Sequence, residues 1–137
     1  MTFPTSNTTG FSLIELLITL SIVGLLAAIG INSYSHHLIQ AKRMRATNML
    51  SQLAIQMEHY QIEHGSYADA TLAKLNTVPV QNNDDYEFVL LSATDDDYLL
   101  AAKPHSTQVK RDPCGTLMLD ASGEKKISGK KSIHDCW

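Results

Sequence analysis

The chain has 137 residues, with 11 basic and 14 acidic side chains and a formal net charge of −3. That length holds one domain of modest core, and that charge balance gives no overall electrostatic case for nucleic acid. The sequence lacks a glycine-rich phosphate loop, a nucleophile elbow and a His-x-x-x-His pattern with a glutamate, so it points to no enzyme and to no cofactor.

Residues 1–10 carry no Lys or Arg, and residues 11–31 form an apolar run with a single charge, Glu15. About 20 apolar residues are enough for a helix to span a bilayer, and a helix satisfies its own backbone in lipid. A secretory signal peptide would have a basic start and a shorter apolar core, and this run has neither. Glu15 is the anomaly. An acidic side chain deep in a membrane helix costs roughly 2.5–3.5 kcal/mol. At the headgroup boundary it would be inert; deeper, it needs a proton or a cation on another copy of the chain.

Beyond Ile31 the helical period continues. Leu38, Ala41, Arg45, Met49, Leu53, Met57 and Tyr60 recur every three or four residues, with Ala46, Leu50, Ala54 and Ile62 beside them. Gln40, Lys42, Arg43, Asn48, Gln52, Gln56, Glu58 and Glu63 fill the other faces. No proline interrupts Phe11 to His64, so the spacing predicts one helix of about 50 residues, stopped at His64-Gly65. The Met and Leu stripe is read as packing against the chain's own globular part. His36 and His37 point apart on a helix, and His59 and His64 lie five apart, so no metal pair is expected.

Residues 65–85 read as irregular, with one helical turn over Thr71 to Leu75 and turn formers Pro79, Asn82, Asn83, Asp84 and Asp85. Tyr86 to Leu91 and Tyr98 to Ala102 predict a hairpin across Thr94-Asp95-Asp96-Asp97. Thr116 to Asp120 predicts a third strand, and Ala121-Ser122-Gly123 a turn into Glu124 to Ile127. The three aspartates lack the glycine and distal glutamate of an EF-hand, so a solvated turn is preferred to calcium. The fold class is therefore α+β: a long N-terminal helix, transmembrane in its first half, packed on a roughly four-stranded antiparallel sheet. Cys114 and Cys136 make an even count, consistent with a disulfide in an exported chain; free thiols and a metal pair are the alternatives. Lys125, Lys126, Lys130 and Lys131 make the last loop basic, as ordinary solvated surface or as a site for adhesion or DNA.

Gly10-Phe11-Ser12-Leu13-Ile14-Glu15-Leu16 resembles the processing and methylation motif of type IV pilins and the pseudopilins of type II secretion, and Gly24, Ala27, Ala28 and Tyr34 also fit. The resemblance implies that a prepilin peptidase cuts between Gly10 and Phe11 and that Phe11 is N-methylated. It implies that Glu15 pairs with that amine on a neighbouring subunit. A buried carboxylate and a buried ammonium are costly apart and tolerable together, so the pair would favour one stagger. Family leaders usually carry a basic residue, and pilins often have a proline where this chain has Asn32; Gly24 and Gly30 are left to loosen the helix.

The organisation implied is a removed leader (1–10), a transmembrane and filament-core helix (11–31), and an amphipathic half-helix with a globular pilin domain (32–137). Gly65 to Asp69 resembles the segment after the pilin helix. Asp112 to Trp137 resembles the disulfide-bounded loop, with Cys114 joined to Cys136, and its Cys-Trp ending resembles minor pilins. Lys42, Arg43 and Arg45 after the span would by count place the rest in the cytoplasm. The cysteine pair and the resemblance place it outside, and that placement is adopted. The expectation is a minor subunit of a type IV pilus, single-pass in the inner membrane and then part of an extracellular filament. Its expected partners are other pilin subunits, prepilin peptidase, the inner-membrane assembly machinery and the membrane, with nucleic acid a weaker candidate. Adhesion and twitching motility are the processes such a pilus serves. The alternative is a pseudopilin of a type II secretion or DNA-uptake system.

Overall fold

With no proline to remove a donor, the backbone from Leu13 to His64 closes into one 52-residue helix, α1. Gly65 ends it, at φ 77°, where a side chain would be strained, and its amide donates to Gln61 O at 2.6 Å. The structure, a computed structural model, describes residues 10–75 and 85–137, the side chains of 30–33 excepted. The leader up to Thr9 and the expected turn formers Pro79, Asn82, Asn83 and Asp84 lie outside the described residues. Two units divide the chain, Met1–His37 and Leu38–Trp137.

In the first unit, the described part of α1 is apolar and covered by nothing: every described side chain from Phe11 to Ile29 is exposed. An 18-residue window reaches a mean hydropathy of 2.4, long and apolar enough to cross a membrane.

In the second unit, four strands follow α1: β1 (Tyr86–Ala93), β2 (Tyr98–Pro104), β3 (Leu117–Asp120) and β4 (Lys125–Ile127). They pair in sequence order, all antiparallel. The expected hairpin forms, but β1 runs on to Ala93 through an irregularity between Leu90 and Ser92, which leaves Leu91 exposed. Two short helices were not expected, α2 (Gln108–Arg111) and α3 (Ile133–Cys136). Between Thr71 and Leu75 a single turn forms, with Lys74 N and Leu75 N both donating to Thr71 O.

Period-two alternation turns Tyr86, Phe88, Leu100, Ala102, Leu117 and Leu119 to one face of the sheet. They meet Ala46, Leu50, Leu53, Met57 and Tyr60 of α1 in one core. A fully buried leucine or methionine contributes about 1.5–3 kcal/mol, so this row fixes which face of α1 the sheet covers. The sequence had placed that face slightly differently. Leu38, Ala41 and Arg45 are exposed, Met49 is half-buried, and Ile62 is 79% exposed. Arg43, assigned to a polar face, is buried instead. The reason is a carboxylate waiting for it, described below.

Glu58 fastens the far end. Its Oε1 accepts from Tyr67 Oη at 3.0 Å and from Tyr98 Oη at 3.3 Å, and the two rings meet edge-on at 4.9 Å. Burial first, then the Glu58 carboxylate, pushes the Tyr67 phenol up to about 12. A phenol raised in the folded state contributes stability that is complete below the ordinary value of 10.0 and is lost as pH rises towards 12. Glu58→Gln is expected to bring the Tyr67 titration down from about 12 without returning it to 10.0, since burial remains. Ultraviolet titration of phenolate, against a Tyr67→Phe variant, reads it directly.

Candidate functional site

Two regions carry the residues singled out by sequence. At the N-terminus, Gly10 and Phe11 are exposed ahead of α1. Glu15 lies in its first turn, and its Oε2 accepts from Ser12 N at 3.4 Å. Glu15 N and Leu16 N in turn donate to Ser12 O at 3.1 and 3.2 Å. Ser12-Leu13-Ile14-Glu15 thus has the spacing of a capping box, with the glutamate covering an amide that no helical carbonyl can reach. Sequence reasoning saw Glu15 as an inert charge at the headgroup boundary or as one needing a proton or a cation; the Ser-x-x-Glu spacing was the signal for this capping role.

The other region is the C-terminal loop. Cys114 and Cys136 are joined in a disulfide, both buried, 22 residues apart in sequence. Beside it lies a buried polar cluster that sequence reasoning missed. Arg43 Nε donates to both Asp112 oxygens at 3.1 Å, and Nη2 donates to Oδ1 at 2.7 Å. The same guanidinium reaches across the loop, Nη1 donating to Asp135 O at 3.1 Å. Asp112 also accepts from Tyr86 Oη and from Cys114 N, and Gln108 Nε2 lies 3.4 Å from Tyr86 Oη and 3.3 Å from Ile39 O. Burial works to raise the Asp112 carboxyl, but hydrogen bonds from Arg43, Tyr86 and the Cys114 amide, with the Arg43 charge, hold it below 3.8. Burial and the Asp112 hydrogen bond push the Tyr86 phenol well above its ordinary value.

This clasp ties three elements of the second unit to one atom group. Arg43 comes from α1, Tyr86 from the start of β1, and Asp112 from the residue after α2. A nearby half-buried pair, Lys42 Nζ to Asp85 Oδ1 at 2.5 Å, fastens the entry to β1. The only sequence clue was that Arg43 lies three residues before Ala46 and seven before Leu50, in phase with the buried row.

The loop itself is stitched along its length. Ser128 N donates to Thr116 O at 3.0 Å and Gly129 N to Cys114 O at 2.9 Å. A side chain at Gly129 would collide with the Pro113 carbonyl and the Cys114 backbone, so the two segments run in near contact only because that residue is glycine. Of the basic residues flagged by sequence, Lys126 is neutralised by Asp120 at 3.2 Å and Glu124 at 2.8 Å. Lys125 Nζ lies 5.2 Å from the Trp137 ring centroid, within cation–π range. Lys130 and Lys131 are exposed, and Lys110 and Arg111 are exposed on α2. Asp95, Asp96 and Asp97 lie on the exposed β1–β2 turn, where Asp95 Oδ1 accepts from Ser66 Oγ and Asp97 Oδ1 from Tyr98 N. His36, His37 and His59 are exposed, and the His64 ring stacks on Tyr60 at 4.1 Å.

Comparison with known proteins gives two family matches. Residues 32–118 match the family described as type IV minor pilin ComP, DNA uptake sequence receptor. Residues 5–31 match the prokaryotic N-terminal methylation motif. None of the curated proteins matches the chain. Among solved structures, the Neisseria meningitidis non-core minor pilin PilV superposes with a TM-score of 0.57 at 22% identity, over 70% of this chain and 92% of that one. A type IV pilin from Shewanella oneidensis superposes with a TM-score of 0.54 at 29% identity, over 72% of this chain and 97% of that one. Long apolar helix, four-stranded antiparallel sheet and C-terminal disulfide are the fold expected from the sequence.

Proposed function

The chain belongs to the type IV minor pilin family of ComP, and from that membership we propose that it is a minor subunit of a type IV pilus, drawn into the filament by the apolar part of α1. The observation that carries the reading is the joining of a methylation motif over residues 5–31 to a minor-pilin match over 32–118. The peptidase cuts between Gly10 and Phe11, and the new Phe11 amine is methylated. The exposed apolar side chains from Phe11 to Ile29 suit lipid before assembly and the flanks of neighbouring helices afterwards. Glu15 then exchanges the Ser12 amide for the amine of a neighbouring subunit, where two buried charges satisfy one another. The disulfide favours a pilus over a secretion pseudopilin.

Mass spectrometry of protein from sheared filaments tests this. The expected mature chain starts at methylated Phe11 and is two hydrogens lighter for the Cys114–Cys136 bond. A chain that keeps its first ten residues and never leaves the membrane fraction overturns the reading. Glu15→Ala is expected to insert normally but to fall roughly a hundredfold in filament incorporation, because an uncompensated buried ammonium costs several kcal/mol and about 1.4 kcal/mol is a factor of ten. Immunoblots of sheared and membrane fractions measure both.

The family's description as a DNA uptake sequence receptor supports a second role, in which the globular unit holds double-stranded DNA outside the cell. Exposed cations on the disulfide-bounded loop and on α2, without an ion pair among the described residues, favour it. Fluorescence anisotropy of a labelled duplex with detergent-solubilised chain is the test; no binding at 50 mM salt rules the role out.

A further inference from the structure

The disulfide sits in a scaffold of hydrogen bonds, and one side chain reaches both of its ends. Cys114 is held by its own backbone: its amide donates to Asp112 Oδ1 at 3.0 Å, and its carbonyl accepts from Gly129 N at 2.9 Å. Asp112 is fixed in turn by Arg43 Nε and Nη2. Cys136 is held through its neighbour, since Arg43 Nη1 donates to Asp135 O at 3.1 Å. One guanidinium on α1 therefore braces the residue two before Cys114 and the residue one before Cys136. None of these contacts involves sulfur, so they are open to a chain whose cysteines are still thiols.

The two cysteines are not equally fixed. Cys114 is 0% exposed and lies between Asp112 and the Gly129 backbone, in the segment that leads into β3. Cys136 is the only buried residue of α3, whose other three residues, Ile133, His134 and Asp135, are exposed. Among the described residues, the one hydrogen bond from α3 to another element is the Arg43 bond to Asp135 O. A four-residue turn with a single outside hydrogen bond opens far more readily than a segment stitched into a sheet. Such an opening uncovers Cys136 and leaves Cys114 in place.

We propose that Arg43 is a positioning residue for oxidation of the folded chain, in which Cys136 takes the oxidant first and the guanidinium then presents it to Cys114. The oxidant is itself a disulfide, on a protein or a small molecule. The Cys136 thiolate attacks one of its sulfurs, forming a mixed disulfide and expelling the other sulfur as a thiolate. Helix α3 closes, Arg43 takes up Asp135 O, and the Cys114 thiolate attacks Cys136 Sγ. The Cys114–Cys136 bond forms, and the oxidant's remaining sulfur leaves as a thiolate. Two electrons and two protons pass from this chain to the oxidant, so one disulfide is made and one is reduced. Bracing both flanks makes the second attack a reaction between neighbours, which raises the effective concentration of one thiol at the other.

Glutathione is the probe. The full chain in detergent is reduced, equilibrated with reduced and oxidised glutathione, quenched in acid and read by mass, with Trp137 fluorescence reporting that each reduced variant is folded. Arg43→Lys keeps a cation for Asp112 but lacks the fork that spans to Asp135 O. It is expected to lower the effective concentration about tenfold, the worth of one charge-assisted hydrogen bond. Lys42→Gln loses the neighbouring pair with Asp85, touches neither cysteine segment, and is expected to change nothing. Should Arg43→Lys not fold, Asp112→Asn, which loosens the same guanidinium from the Cys114 side, replaces it with the same expected direction. For the order of attack, Cys114→Ser leaves Cys136 and Cys136→Ser leaves Cys114. Oxidised glutathione is expected to cap Cys136 at least about tenfold faster than Cys114 in the folded chain, and both at similar rates in urea.

An unchanged effective concentration in the Arg43 or Asp112 variant overturns the positioning role, and so does an equal fall in Lys42→Gln. Equal capping rates in the folded chain, or faster capping of Cys114, overturn the order of attack.

Discussion

Asp112→Ala is expected to lower the unfolding free energy by about 4 kcal/mol, since removing one partner of a buried ion pair typically costs 3–5 kcal/mol. The loss has three sources. The Arg43 charge stays buried with its side chain only 9% exposed, and Tyr86 Oη and Cys114 N lose their acceptor. Arg43→Ala is expected to cost less, about 3 kcal/mol, because Asp112 keeps its other donors. Asp112→Asn keeps the shape and should fall between wild type and alanine.

The pH dependence has a definite sign. A carboxyl held below its ordinary value stabilises the fold above that value and loses its contribution as pH falls. The wild type should therefore weaken from pH 3.8 downwards, and Asp112→Ala should lack that component. Urea unfolding in detergent, followed by the fluorescence of the single tryptophan, Trp137, measures all of these. A loss under about 1 kcal/mol for Asp112→Ala would mean that solvent, not Arg43, satisfies the carboxylate.

Removing the disulfide comes next. Replacing Cys114 and Cys136 together by serine frees a loop whose ends are 22 residues apart, worth about 3 kcal/mol on the chain-entropy account. Cys114 is two residues from Asp112, and Cys136 adjoins Asp135, whose carbonyl Arg43 holds. The two devices share one loop, so their losses should not add. The triple variant with Arg43→Ala is expected to lose measurably less than about 6 kcal/mol, the sum of the parts. Full additivity would show that each holds the loop independently.

What could be read from the sequence was local. The apolar run from Phe11, the stop at His64-Gly65 and the alternation in Tyr86 to Leu91 and Tyr98 to Ala102 are patterns within single elements. Periodicity finds such patterns. Strand ends were less legible, because β1 continues past Leu91 through an irregularity that breaks the alternation. Helices α2 and α3, of four residues each, are too short to show a period. The buried face of α1 was placed correctly at Ala46, Leu50, Leu53, Met57 and Tyr60 and missed at its start, because Arg43 looked like surface. Its partner is 69 residues away, and pairing over that separation leaves no periodic trace. The cysteine pair was legible through family resemblance, and composition alone left thiols and metal open.

Arg43 also bears on the order of events during folding. Every strand neighbour in the sheet is a neighbour in sequence, so the meander can form from short loops. The guanidinium by contrast joins residues 69 and 92 positions apart, and such distant closures come late. A ribosome-bound or half-exported chain thus has its strands before it has its lock. Only after Asp135 has emerged can Arg43 close over the C-terminal loop, so a partly delivered subunit carries its sheet unlatched.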